Sequence, residues 1–279
     1  MKLVVILTTV VLVSAVPKPP RLGFRNIYKN PIKTLHPDVK TPRIIGGHEV
    51  TPHSIPYSAF LELYSGNDGW YCGGSLISEN YVVTSAHCTY STQSPVEATI
   101  ILGAHRPFDL EDSQVELVST EITIHENYDN EEIVNDIAVI KLPTPVEFNN
   151  YIDPIALPSF SDADNDYENA LVTASGWGLT DGHGTTVSEV LNFVQLTVIS
   201  NLDCQTYFGT LESSILCTSG LQNSGVCNGD GGGPLVTDQV LIGIVSFTVP
   251  YCLDGYPSAF TRVTSFLDWL GENTDVIIE

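Results

Sequence analysis

Positive charge is what this chain has least of. Only 11 of its 279 residues are Lys or Arg, against 33 Asp or Glu, for a net charge of −22. A surface that grips a phosphate backbone needs dense Lys and Arg, so nucleic acid is excluded as a partner. Charged residues make up 16% and hydrophobic ones 43%, which excludes a disordered chain. Long apolar runs are also missing: the one at the start, Leu3–Val13, is too short to span a bilayer, and no membrane partner is expected. There is no Asn-x-Ser/Thr acceptor for N-glycosylation.

The few cations are unevenly placed. Lys2, Lys18, Arg21, Arg25, Lys29, Lys33, Lys40 and Arg43 precede Ile44, leaving only Arg106, Lys141 and Arg262 among 32 acids beyond it, a net −29. Met1-Lys2, the apolar run and Ser14-Ala15 read as a secretory signal peptide over 1–15. Residues 16–43 are basic and Pro-rich, a propeptide rather than a packed domain. At Arg43-Ile44-Ile45-Gly46-Gly47 the composition turns apolar, and an exposed Arg there suits an upstream trypsin-like processing protease. The expected product is secreted and extracellular, and its acidic surface favours cationic proteins.

Six cysteines, 72, 88, 204, 217, 227 and 252, all follow the leader. None stands at C-x₂₋₄-C spacing, which argues against zinc. An even count in a secreted chain argues for disulfides, with 15 pairings open in principle. Pairing sequence neighbours, Cys72–Cys88, Cys204–Cys217 and Cys227–Cys252, closes three short loops. Short β-branched and aromatic runs recur between turn residues: 58–63, 81–85, 99–102, 115–124, 137–141, 170–175, 189–198, 241–247 and 258–262. That is an all-β pattern of two sheets or barrels rather than βαβ units. Val263, Phe266, Leu267 and Leu270 recur at helical spacing and predict a terminal helix over 263–273.

Three segments carry the chemistry. Thr84-Ser85-Ala86-His87-Cys88 sets a histidine beside a cysteine, Asn135-Asp136-Ile137-Ala138-Val139 sets an acid before an apolar run, and Cys227-Asn228-Gly229-Asp230-Gly231-Gly232-Gly233-Pro234 is a glycine loop around one acid. With Arg43–Gly47, Cys72-Gly73-Gly74-Ser75-Leu76 and Ser175-Gly176-Trp177-Gly178, they resemble the chymotrypsin-like serine proteases over all of 44–279. Ile101–His105, His125–Tyr128 and Gly255–Val263 look more narrowly like the arthropod brachyurin-type chymotrypsins and collagenases.

The resemblance implies two six-stranded antiparallel Greek-key β-barrels, about 44–157 and 158–262, with the terminal helix after them. It implies His87 as general base, Asp136 as the acid that orients it, and Gly229 and Gly231 as oxyanion-hole N–H donors. Arg43, Ile44 and Asp230 would form the activation switch, the new Ile44 ammonium pairing with Asp230 after cleavage. Gly225, Ser246, Thr248 and Ser258 would line the specificity pocket, whose base carries no acid. Lys and Arg are thus disfavoured there, and Thr248 narrows the pocket toward small or medium neutral groups.

One position departs from the pattern. Gly231 stands where the family has its nucleophilic serine, and glycine has no hydroxyl for His87 to deprotonate. Loss of the serine alone costs about 10⁶ in kcat in a subtilisin-type triad. Ser75, Ser224 and Ser246 lie outside this loop and do not replace it. The expectation from this residue is a non-catalytic homologue that acts by binding, as a decoy for protease inhibitors, a competitor for substrate or a cascade cofactor. The alternative is a digestive endopeptidase whose serine is altered to Gly231 in this sequence by engineering, allele or error. His105, His125 and Tyr128 read as structural. The acidic runs Asp109–Asp112 with Glu116, and Asp162–Asp166, read as solvated loops. No metal or cofactor is expected.

Overall fold

A computed structural model describes residues 43–92, 94–179, 186–221, 224–249, 252 and 255–279. The expected signal peptide and all of the expected propeptide but Arg43 lie outside these residues. Fourteen strands follow in order: β1 (His48–Glu49), β2 (Ser58–Ser65), β3 (Asp68–Leu76), β4 (Tyr81–Thr84), β5 (Glu97–Leu102), β6 (Val115–Ser119), β7 (Ile122–Ile124), β8 (Ala138–Lys141), β9 (Leu171–Gly176), β10 (Asn192–Ile199), β11 (Ile215–Thr218), β12 (Pro234–Thr237), β13 (Val240–Thr248) and β14 (Ser258–Arg262).

They form two antiparallel sheets that curl into barrels. One runs β6-β5-β2-β3-β4-β8-β7. Its edge strands β6 and β7 are two parts of one bent strand, interrupted only at Thr120 and Glu121, so the order closes on itself as six strands. The other runs β1-β10-β11-β14-β13-β12-β9 and closes through a β9–β10 ladder of six residue pairs, with the two-residue β1 as an added edge. Closure of both sheets removes free edges, which is why these short strands suffice.

Each barrel fills its interior from alternating positions. Ala59, Leu61 and Leu63 of β2 meet Ile100, Leu102, Val82 and Ile140 in the first. Val172, Ala174, Val194, Leu196, Leu235, Ile242 and Phe260 fill the second. Two further clusters pack the seam. Phe60 and Ile101 stack with Trp177 and Leu191 on one side. On the other, the 3₁₀ turn Val263–Phe266 and helix Leu267–Asn273 place Phe266, Leu267, Trp269 and Leu270 against Val83, Val139, Val236 and Ile244. The terminal helix is therefore the clamp that its apolar spacing implied.

All three neighbour disulfides are present: Cys72–Cys88, Cys204–Cys217 and Cys227–Cys252. Several elements escaped the sequence pattern. The helix Asn201–Phe208 buries only Cys204, so it has no apolar stripe, although Ser200 caps it by accepting from Asp203 N–H. Strand β3 holds Gly69, Gly73 and Gly74, residues that depress strand propensity. Close approach explains them: a β-carbon on Gly73 would lie 2.9 Å from Gly233 Cα of the other barrel, while one on Gly74 would lie 2.8 Å from Val82 and one on Gly69 3.0 Å from Tyr64 within the same sheet.

Candidate active site

The seam between the barrels brings the three motifs together. Strand β4 ends at Thr84 and the one-turn helix Ala86–Thr89 presents His87, while Asp136 precedes β8, paired with β4. Asp136 accepts from His87 N–H and from His87 Nδ1, each at 2.8 Å, and from Ser246 Oγ at 2.5 Å. Its own carbonyl accepts from Thr261 Oγ1 at 2.7 Å. Burial would push this carboxyl up, but the charge and hydrogen bonds of His87, with that of Ser246, outweigh it and hold the pKa below the usual 3.8. The carboxylate thus stays ionised and pins the imidazole with its proton on Nδ1, leaving the Nε2 lone pair free.

The glycine loop lies opposite. Gly73 N–H donates to Gly231 carbonyl at 2.8 Å and Gly232 N–H donates to Val245 carbonyl at 2.8 Å, so both barrels hold the loop. Gly229 adopts φ +94°, a conformation that side chains rarely tolerate. Among the described residues, the Gly229 and Gly231 N–H groups donate to no backbone carbonyl, which leaves them available to an anion. Gly231 itself approaches the histidine closely: a β-carbon there would lie 2.6 Å from His87 Nε2. Ser85, not singled out in the sequence, lies beneath the ring with Oγ 3.4 Å from Nε2.

Asp230 is fully buried and accepts from Gly178 N–H at 2.7 Å and Cys227 N–H at 2.9 Å. Burial raises its pKa to about 7 despite those two donors. Ile44 is buried in the core of the second barrel, with φ 37°, a strained value for a β-branched residue. The Arg43 side chain lies outside the described part of the molecule.

Gly225, Thr248 and Ser258 line a pocket with Ile45, Ser224, Val226, Cys252 and Tyr256; it encloses about 10 Å³, room for one water. Ser246 differs from its expected place. Its hydroxyl is turned away from the pocket onto Asp136, although Thr248, two residues on, lines the pocket: the β13–β14 register shifts between Val245 and Phe247, and this bulge breaks the alternation that would set both on one face. Ile45 was missed; its carbonyl accepts from Gly225 N–H at 3.0 Å, tying the start of the domain to the pocket base.

Neither of the other serines lies in the glycine loop. Ser224 Oγ donates to Leu221 carbonyl at 2.8 Å, and Ser75 is buried. His105 is held by Glu49 at 3.1 Å, and His125 stacks with Phe266 and Trp269. The Asp109–Asp112 loop is tied down from within: Glu111 accepts from the His105 and Arg106 N–H groups, and Asp109 pairs with Arg106 at 2.6 Å. Among the described residues, the one cluster with metal-like spacing is Cys72, His87 and Cys88, whose thiols form a disulfide.

Residues 44–270 match the Trypsin family model. Chymotrypsin of Phaedon cochleariae is 41% identical over 251 residues, covering 90% of this chain and 89% of its own. Brachyurin of Leptuca pugilator is also 41% identical, over 84% of this chain and 99% of its own. The solved structure of HL collagenase superposes with a TM-score of 0.76 at 33% identity, covering 84% of this chain and all of that one. No helix among the described residues is long and apolar enough to cross a membrane.

These names correct one expectation. Gly231 suggested that the chain is not an enzyme, yet the relatives matched along nearly its whole length carry the names of proteases. The physical reason is one of proportion: a single missing hydroxyl weighed against a histidine, its carboxylate, the N–H donors and the disulfide frame, all in place. By fold and by sequence alike, this chain belongs to the trypsin-like (S1) family of serine proteases.

Proposed function

We propose that this protein is a secreted digestive endopeptidase of the chymotrypsin and collagenase kind, and that serine occupies position 231 in the acting enzyme. Ser and Gly codons can differ by one base. The observation that carries the reading is the network of His87, Asp136, Ser246 and Thr261, in which the buried Asp136 carboxylate and carbonyl are held by donors from all three partners while His87 Nε2 keeps its lone pair for a reaction. A network of buried charge and hydroxyl groups stabilises a fold no better than apolar packing would, so its retention fits a catalytic task.

With serine at position 231, Nε2 takes the hydroxyl proton as the oxygen attacks the scissile carbonyl. Asp136 stabilises the imidazolium, and the backbone N–H groups at positions 229 and 231 receive the oxyanion. Nε2 then returns the proton to the leaving amine. A water repeats the cycle to release the acid. In the uncut chain the pocket has room for one water; once cleavage opens it, with no carboxylate at Gly225 and with Thr248 on its wall, it selects small or medium neutral side chains.

Upstream, a trypsin-like protease cuts after Arg43. The freed Ile44 ammonium then reaches Asp230, whose buried carboxyl has, among the described residues, the Gly178 and Cys227 N–H groups as donors. Protease inhibitors are ligands of such a cleft. Cationic proteins suit its surface, since the described side chains of Arg106 and Lys141 are already paired with Asp109, Glu189 and Glu121.

Sequencing the transcript reads position 231 directly. In parallel, Gly231→Ser, cleaved after Arg43, is assayed on peptide anilides with neutral P1 groups. Turnover should rise by about 10⁶-fold. The ring must withdraw roughly 0.8 Å to bring a β-carbon from 2.6 Å to an ordinary 3.4 Å contact. A Gly231→Ser protein that folds, is cleaved and still fails to turn over would sink the proposal.

A further inference from the structure

In this cleft the imidazole stands where the side chain of residue 231 would begin. A β-carbon on Gly231 would lie 2.6 Å from Nε2, 3.1 Å from Cε1 of His87 and 3.5 Å from Cys88 Sγ. The polar neighbours of Nε2 are distant, Ser85 Oγ at 3.4 Å and Cys88 Sγ at 3.6 Å, so neither ties up its lone pair strongly. Nδ1 is fixed on Asp136 at 2.8 Å and the side chain keeps 12% exposure toward solvent. Nε2 is thus an oriented nitrogen base on a partly exposed side chain, with no hydroxyl from position 231 before it and with the Gly229 and Gly231 N–H groups in the facing loop.

We infer that in the Gly231 chain His87 Nε2 is itself a nucleophile, which confers hydrolysis of activated aryl esters of small neutral acids. This activity goes beyond the endopeptidase reading and does not depend on it. The Nε2 lone pair adds to the ester carbonyl, and the N–H donors of the loop face the resulting oxyanion. The carbon–oxygen bond to the aryl group breaks, aryloxide departs with the electron pair, and the acyl group remains on Nε2 as an acyl-imidazolium whose Nδ1 proton still sits on Asp136. Water adds to the acyl carbon and loses one proton to solvent. The carbon–nitrogen bond then breaks and frees the carboxylic acid and neutral imidazole. The proton released balances the aryloxide, so ester and water give acid and phenol.

The leaving group decides the substrate class. A nitrophenolate leaves at least as readily as imidazole, so the adduct goes forward. A peptide amine leaves less readily than imidazole, so the adduct expels the histidine and returns to substrate. The Gly231 chain should therefore cleave 4-nitrophenyl acetate and spare peptide anilides.

The test uses the full chain and 4-nitrophenyl acetate, with released nitrophenolate as the readout. His87→Gln should lower the rate at least about tenfold. Retention of half the rate or more would assign the hydrolysis to other groups and overturn the inference. Should His87→Gln not fold, diethyl pyrocarbonate on the unaltered chain serves instead. Peptide mass spectrometry should find His87 acylated ahead of His105 and His125, with esterase loss in step. Loss that tracks another histidine, or none, overturns the inference. Neither result bears on Gly231→Ser, so the two readings fail separately.

Discussion

The two barrels contribute to the cleft in different currencies. The first supplies side chains: an imidazole and a carboxylate joined at 2.8 Å, with the His87 backbone N–H giving the carboxylate a second 2.8 Å bond, beside one disulfide. The second supplies backbone: the N–H groups of a glycine loop, a pocket floor, and the buried seat of Ile44. Side-chain chemistry survives a change in a neighbour, because each group keeps its own partner. Backbone chemistry depends on the whole loop being held, and here the loop leans on Gly73, Val245 and an Asp230 carboxyl held by the Gly178 and Cys227 N–H groups. Ser246 and Thr261 cross over with side chains, placing second-barrel hydroxyls on the first barrel's aspartate.

The sharpest way to break this contrast is to damage the side-chain half. Asp136→Asn in the Gly231→Ser enzyme should reverse the tautomer of His87 and cost about 10⁴ in kcat, with KM little changed. A loss below tenfold would show that the pair is not what orients the ring.

The backbone half is tested through Asp230. Folding raises its pKa from 3.8 to about 7, so between those values the uncut native chain keeps a proton that the unfolded chain has released. Its contribution to stability is undiminished below pH 3.8, falls by about 1.4 kcal/mol per unit as pH rises toward 7, and is flat above. Cleavage after Arg43 should remove this decline by giving the carboxylate an ammonium partner. Thermal midpoints of cut and uncut protein from about pH 4 to 8 should diverge as pH rises. Parallel curves would show that Ile44 does not reach Asp230.

A smaller effect tests the pocket. Thr248→Gly in the Gly231→Ser enzyme should raise kcat/KM for a phenylalanine P1 group relative to alanine by about tenfold. An unchanged ratio would place the narrowing on Tyr256 or Ile45, which the same cavity touches.

Much of this was legible in the chain because the motifs are local. His87 beside Cys88, Asp136 at the head of β8, and the Cys227–Pro234 loop each announce themselves within a few covalent neighbours. The terminal helix was legible for the same reason, its apolar stripe being a periodicity. The helix Asn201–Phe208 was not, because a helix that buries one residue writes no stripe. Ser246 was read as a pocket residue since the strand alone does not say which face meets the cleft; pairing across 110 residues with Asp136 decided it. Ile45 and Ser85 stood inside motifs already noted but drew no role, because their contacts with Gly225 and with the His87 ring appear only in space.

By itself the sequence determined the acid excess, the even set of cysteines and the absence of a hydroxyl at position 231, because each is a matter of composition and position. Only the tertiary structure decided what that absence means in space. His87 Nε2 fills the space a side chain would take rather than facing a void, with the glycine loop drawn up by β3 on one side and Nδ1 held on Asp136 on the other. Close contacts between distant segments are set by packing, and packing is what a linear pattern does not record.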